Sequence, residues 1–281
     1  MRLLRLLPLT ALFLVGACDE EGAVKNSSLP PLAYVRYVNA VPDAGSLDFK
    51  WMDAVEFSPP YANSPFRTIG IYQGARAGTR IVRVFRNSTD ITIAQQVIIT
   101  DTLTLVAGTY YTILHAGYVS HQANATPLSD SIAQRQNIYL IDDTRPAQSL
   151  TGLHVSGVNA ARGLGTQDFH GTAATGTTLV GSVAFGTAAR ATRTAYAARA
   201  TGAFAVQSAA TTTTVSLGAA APFAGVAGTT LVDPVGGSGI AGTQFSAFFF
   251  PASIVGSGAA LFATSGVVMV ADKQPPRTVA P

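Results

Sequence analysis

The sequence predicts an all-β fold of two tandem sandwich-like repeats, and four observations lead to this class. Short segments rich in β-branched and aromatic residues recur along the chain, such as Arg80–Phe85 and Asn137–Ile141, and they are typical of strands. Turn-forming residues separate most of them, a spacing that indicates a sandwich or barrel. The 27 Gly and 15 Pro residues argue against long helices, and a block of sequence recurs later in the chain.

The first element is a leader over residues 1–17. Arg2 and Arg5 supply its positive start, and the apolar stretch Leu6–Val15 matches the core of a signal peptide but is too short to span a bilayer. The leader ends in VGA followed by Cys18, which resembles a bacterial lipobox, whose cysteine is acylated. We therefore expect lipid attachment at Cys18, a flexible tether over residues 18–30, and a place in the bacterial cell envelope on either membrane.

Repeat one is expected over residues 31–148. Leu47, Phe49 and Trp51 alternate with Asp48 and Lys50, a period of two that predicts a strand with one apolar face. Further strands are predicted at RIVRVF (80–85), AQQVII (94–99), TLTLV (102–106), TYYTIL (109–114) and NIYLI (137–141).

Repeat two is expected over residues 149–276, with 277–281 as a tail. Val38-Asn39-Ala40 recurs as Val158-Asn159-Ala160, and Asp48-Phe49 recurs as Asp168-Phe169, both at an offset of 120. The closing segments also correspond, so that Asp143 matches Asp272. Because the matches keep their order, we interpret them as two copies of one β-sandwich.

Three segments of repeat one resemble the domain-of-unknown-function 4397 family: YVRYVNAVPDAGSLDF, AGTYYTILHAG and LIDDTRP. The resemblance implies an immunoglobulin-like sandwich, secretion or lipid anchoring, and tandem copies, and it carries no catalytic residues. In repeat two, Arg162-Gly163-Leu164 stand where repeat one has Pro42-Asp43-Ala44. Proline and aspartate favour a tight turn, so we expect the motif to form a structural corner.

Composition excludes several function classes. The chain is 48% hydrophobic and 12% charged, which excludes a disordered protein. Its single cysteine excludes an internal disulfide framework and a cysteine-based metal site. Three lysines without a basic run make a nucleic-acid partner unexpected. We predict no metal site, no cofactor and no catalytic residues.

A cluster of arginines is the candidate binding patch. It consists of Arg76, Arg80, Arg83 and Arg86, and in a regular strand Arg80 and Arg86 share one face while Arg83 points to the other. The cluster suits an anionic lipid, a phosphate or an acidic partner. The alternative is a solvated strand edge that resists pairing.

Two pairs of possible metal ligands have both a metal-binding and a structural interpretation. Asp168 and His170 share a strand face, which suits either a metal ligand pair or a polar outer surface. Asp142 and Asp143 close a strand beside Arg145, which suits either Ca²⁺ or a salt bridge to that arginine. The structural interpretation is favoured in both cases.

Two groups of aromatic residues are also ambiguous. Trp51 lies on the apolar face of its strand, so a core position is favoured over sugar binding. Phe248–Phe250 lack alternation, which predicts a strand covered on both faces, in a core or at a contact between the repeats.

We expect a lipid-anchored envelope protein whose sandwiches serve structure or binding without catalysis. Its expected partners are the membrane and an envelope protein or glycan. The alternatives are a glycan- or peptide-recognition module that uses loops at one end of a sandwich, and a hydrolase with an unrecognised site.

Overall fold

A computed structural model describes residues 30–53, 60–120, 135–171, 178–183, 196–210 and 216–277. The predicted leader, Cys18 and all of the tether up to residue 29 lie outside these ranges. Contacts between Cα atoms group Leu32–Pro281 into one compact unit.

The first eight strands, which we call half one, form two four-stranded sheets in the orders β4-β1-β7-β8 and β3-β2-β5-β6. Strand β1 is central in the first sheet, where it pairs antiparallel with β4 and parallel with β7. The strands are β1 (Leu32–Ala40), β2 (Leu47–Trp51), β3 (Tyr61–Ser64), β4 (Gln73–Arg76), β5 (Gly78–Arg86), β6 (Val97–Leu105), β7 (Tyr110–Ala116) and β8 (Asn137–Asp142).

The next eight strands, half two, form two sheets in the orders β12-β9-β15-β16 and β11-β10-β13-β14. Adding eight to each strand number of half one reproduces both orders, so the two halves have the same topology. The strands are β9 (Gly152–Asn159), β10 (Gln167–Gly171), β11 (Thr178–Val183), β12 (Ala197–Ala200), β13 (Val206–Ala210), β14 (Ser216–Ala220), β15 (Gln244–Phe250) and β16 (Gly266–Lys273).

The all-β fold class is confirmed. Among the described residues the only helix is the single turn α1 (Ile91–Ala94), whose first turn is capped by Asp90, which accepts from the N–H of Thr92 at 2.8 Å. The two strands expected at 94–99 and 102–106 are one strand, β6, which begins at Val97 because residues 91–94 form this turn. No described helix has the length and apolarity needed to cross a bilayer.

Each half has its own apolar core between its two sheets. In half one the core includes Tyr37, Phe49, Trp51 and Ile113, and the core position predicted for Trp51 is confirmed. The core of half two includes Val155, Phe169, Val206, Phe245 and Phe249.

A third apolar cluster joins the halves. It combines Val38, Ala40, Phe66, Leu114, Ala116, Tyr139 and Ile141 of half one with Val158, Ala160, Phe248 and Phe250 of half two. Those on strands lie on the sheet faces that point away from each half's own core, so sheet β4-β1-β7-β8 packs against sheet β12-β9-β15-β16. The two middle sheets of a four-layer body are therefore buried on both faces.

The complete burial of strand β15 follows from this packing. All seven of its residues are buried, because Phe249 enters the core of half two while Phe248 and Phe250 enter the cluster between the halves. The expected coverage on both faces is confirmed, and its cause is the contact with half one.

Candidate functional site

A buried arginine lies at the centre of the contact between the halves. Arg36, on β1, is only 2% exposed. Its Nη1 donates to Oδ1 of Asp272 in half two at 2.6 Å, and its Nε donates to Oγ1 of Thr112 at 2.8 Å. Its Nη2 lies 3.7 Å from Oδ2 of Asp143 in half one. One guanidinium thus contacts a carboxylate from each half.

Asp143 is held by hydroxyl groups of half one. Its Oδ2 accepts from Tyr72 Oη at 2.6 Å and from Thr112 Oγ1 at 2.5 Å. The carboxylate side chain is fully buried. We had expected an ion pair between this strand end and Arg145, but the ion-pair partner of Asp143 is Arg36.

Asp272 has the same surroundings in half two. Its Oδ2 accepts from Tyr196 Oη at 2.6 Å and from Ser246 Oγ. Strand register makes these residues equivalent to those around Asp143, because Val35 faces Gln73 as Val155 faces Ala197, and Tyr111 faces Asp142 as Phe245 faces Ala271. The match between Asp143 and Asp272 predicted from the repeat therefore has a structural basis.

The symmetry of this network is broken at one position. The residue of half two that is equivalent to Arg36 is Ser156, which is also fully buried. Its Oγ lies 3.3 Å from the Oγ of Ser246. A second arginine would bring two guanidinium groups into the same closed space. One arginine and one serine let both halves share a single cation.

Electrostatics fix the charge state of this centre. Burial by itself lowers the pKa of Arg36, but the attraction of Asp272 and Asp143 outweighs it and raises the pKa above its usual value. Burial also raises the pKa of Tyr72, so its hydroxyl stays protonated and donates. A buried cation with two buried carboxylates holds the halves together, since each charge left alone would pay a large desolvation penalty.

Aromatic rings and a second arginine extend the network towards the surface. The guanidinium of Arg36 lies 4.6 Å from the ring centre of Tyr72. Arg145 covers the ring of Tyr110 at 4.0 Å and donates from Nη1 to the backbone oxygen of Asp272 at 2.9 Å. Tyr110 in turn stacks on Tyr34 with 4.6 Å between ring centres.

The four arginines of the predicted patch differ in their exposure. Arg76 is exposed at the end of the edge strand β4, while Arg83 and Arg86 are half-buried on β5. Arg80 is buried and its Nε donates to Asp53 Oδ2 at 2.5 Å. Arg80 therefore closes one end of the core of half one rather than facing solvent.

The proline–aspartate motif forms a corner of half one. Asp43 is buried and accepts from the backbone N–H groups of Val119 at 2.9 Å and Ser120 at 2.6 Å. Burial raises the pKa of Asp43, although these N–H donors oppose the shift. The repeated asparagine closes the same turn in both halves, since Asn39 and Asn159 each accept from the N–H two residues ahead at 3.0 Å.

The remaining candidates are placed as follows. Cys18 lies outside the described residues. Asp168 and His170 are half-buried on β10, and within the described part of the chain no three His, Cys, Asp or Glu side chains are grouped so as to hold a metal ion.

Sequence reasoning missed Arg36. The signal was present, because Arg36 is a charge in the middle of the apolar run YVRYV, and a charge there needs a buried partner. The partner could not be identified from the sequence, since Asp272 lies 236 residues away.

Comparison with known proteins finds a family match for half one. Residues 33–140 match the model of a family described as a domain of unknown function (DUF4397). The match covers β1 to most of β8 and confirms the resemblance. No curated protein matches the chain.

Proposed function

We propose that this chain, whose residues 33–140 belong to the DUF4397 family, is a lipid-anchored protein of the bacterial cell envelope with a structural or binding role and no catalysis. The observation that carries the anchor is Cys18, the chain's single cysteine, which follows a ten-residue apolar stretch and two small residues. Stable anchoring by acyl chains needs more than one chain, which a triacylated cysteine would supply.

The structural role is supported by how the charged groups are used. Arg36, Asp143 and Asp272 join the halves, and their side chains are at most 2% exposed. A body whose middle sheets are covered on both faces is suited to present outer surfaces at a fixed geometry. Glycan or peptide recognition by loops stays a prediction.

The anchor is tested by following acylation. The full chain and its Cys18→Ala variant are expressed in a bacterium fed an alkyne-labelled fatty acid, and label and N-terminal mass are measured. We expect the parent to carry label and to begin at residue 18, and the variant to carry none. Ala17→Ser is the matched control, because it keeps a small residue before the cysteine and should be labelled like the parent. Label on the Cys18→Ala variant, or an unlabelled parent, would overturn the anchor.

A further inference from the structure

The two halves point their equivalent ends in the same direction. Near the start of β1, Arg145 donates to the backbone oxygen of Asp272, and Gln244 Nε2 donates to Pro146 O at 2.8 Å. Near the end of β1, the N–H of Ile254 donates to Pro42 O at 2.8 Å. The name tether end is used for the end at which β1 and β9 start, because the chain from Cys18 arrives there. The opposite end is called the far end.

A hairpin over residues 223–238 rises from the tether end. Val226 and Val235 exchange two backbone hydrogen bonds of 2.9 Å, and the N–H of Thr229 donates to the oxygen of Val232 at 2.8 Å. The base of the hairpin is fixed at this end, because the N–H of Gly236 donates to Gln274 Oε1 at 2.5 Å, just beyond the end of β16.

The tether end exposes large apolar side chains. Leu231 and Val232, at the turn of the hairpin, are 88% and 61% exposed, and Leu150, just before β9, is 79% exposed. Further exposed apolar or aromatic residues at this end are Leu32, Tyr34, Val106, Phe223, Val226 and Val235. Grouped exposed apolar residues mark a contact with a protein or a membrane.

The chemistry of this end favours a lipid surface. Tyr34 is partly exposed and stacked on Tyr110, and tyrosines are enriched at the depth of lipid headgroups. Arg76 and Lys273 are exposed cations at the same end, which suits anionic headgroups. Exposed carboxylates also lie there, at Asp142 and at Asp233, and Asp233 is paired with Arg277 at 3.1 Å. Adjacent apolar side chains at the turn of a hairpin, such as Leu231 and Val232, suit insertion between lipids.

The tether allows this contact. Residues 19–31 separate Cys18 from β1, and fully extended they reach at most about 45 Å. An attached body samples the bilayer at a high effective concentration, so a weak contact is enough to orient it.

We propose that the tether end lies on the bilayer, with Leu231, Val232 and Leu150 inserted among the lipid headgroups. This orientation rests on the proposed lipid anchor. It turns the far end, where Pro42 meets Ile254, away from the membrane.

Because Cys18 is the single cysteine, it can be coupled chemically. Residues 18–281 keep the whole compact unit, and the thiol is joined to maleimide-lipid in vesicles of phosphatidylethanolamine and phosphatidylglycerol at 3:1. Amide hydrogen exchange is compared with the same protein coupled to soluble maleimide-polyethylene glycol. We expect exchange at residues 226–235 to slow several-fold on vesicles and exchange at residues 254–262 to stay unchanged. No slowing at 226–235, or equal slowing at both loops, would overturn the orientation.

Matched double variants test the side chains. Leu231→Ser with Val232→Ser should abolish most of the slowing at other tether-end amides, such as those around Val106. Val255→Ser with Leu261→Ser, at far-end residues that are 82% and 74% exposed, should leave that slowing intact. The opposite ranking would place the far end on the membrane and contradict the proposal. Since the maleimide supplies the anchor, failure of acylation in the cell would leave this result standing.

Discussion

Half one and half two share a strand order but fill one region of their cores with different chemistry. In half one, Tyr37 Oη lies 2.9 Å from His115 Nδ1, and His115 Nε2 lies 2.8 Å from Gln136 Oε1. Gln136 also donates to the backbone oxygen of Ile98 at 2.7 Å. Every member of this buried chain of polar groups therefore has a partner.

In half two the equivalent region is apolar. Gly157 stands at the position of Tyr37, and Phe249 at that of His115. The ring of Phe169 fills the space above Gly157, where an added Cβ would lie 2.5 Å from its Cδ2. A smaller residue on one strand is thus balanced by a larger one on its neighbour. The comparison teaches that this topology accepts polar pairing or apolar packing, provided that volume and hydrogen bonds are satisfied.

The largest effect is expected where the halves meet. Arg36→Met should lower the free energy of unfolding by roughly 3–5 kcal/mol, because it leaves Asp143 and Asp272 buried without their shared cation. Urea unfolding of the full chain measures the change.

The matched control is the equivalent position of half two. Ser156→Ala removes one hydroxyl contact, so it should cost about 1 kcal/mol or less. Equal effects of the two substitutions would show that the guanidinium is not what holds the carboxylates.

The contributions of the two cores to stability should depend differently on pH. Burial lowers the pKa of His115 to about 4, although the hydrogen bond that its ring donates to Gln136 Oε1 opposes the shift. Between the unfolded value near 6.5 and this folded value, the unfolded chain binds the proton more readily, so stability falls as pH falls through this window. The loss amounts to roughly 3 kcal/mol at its limit.

His115→Gln should remove that part of the acid sensitivity. Free energies of unfolding for the parent and the variant, measured from pH 7 to pH 4, should converge as pH falls. Parallel curves for the two proteins would contradict the buried neutral imidazole.

A smaller effect should test the packing of half two. Gly157→Ala places a methyl group against the buried ring of Phe169, so we expect a loss of about 1–3 kcal/mol from overpacking. Gly74→Ala on edge strand β4 is the control, because its Cβ would meet only Leu32 Cδ1 at 3.4 Å. Thermal unfolding compares the two, and a neutral Gly157→Ala would mean that the ring can move aside.

Local patterns were enough to predict the strands of half one. The alternation of Leu47, Phe49 and Trp51 identified a buried face because a strand repeats every two residues. The equal offset of the Val-Asn-Ala motifs identified the repeat, since both asparagines close the same turn. The unbroken apolar run at Phe248–Phe250 indicated cover on two sides without saying what provides it.

Contacts between distant strands could not be predicted in the same way. The pattern of β1 marks Arg36 as anomalous, but only the fold brings Asp272 to it. Arg80 was grouped with its neighbours because spacing along one strand does not reveal that Asp53 closes over it. In each case the missing information was a partner from a different part of the fold.

The central position of β1 has a mechanical consequence. Strand β1 begins at Leu32 and is the first strand of the described chain, so a pull on the N-terminal side would load β1 along its own axis. Four residues of β1 pair with β4 and seven pair with β7, and these bonds share the load in shear. Such a pull therefore enters the body through a strand that is paired on both edges and packed on both faces.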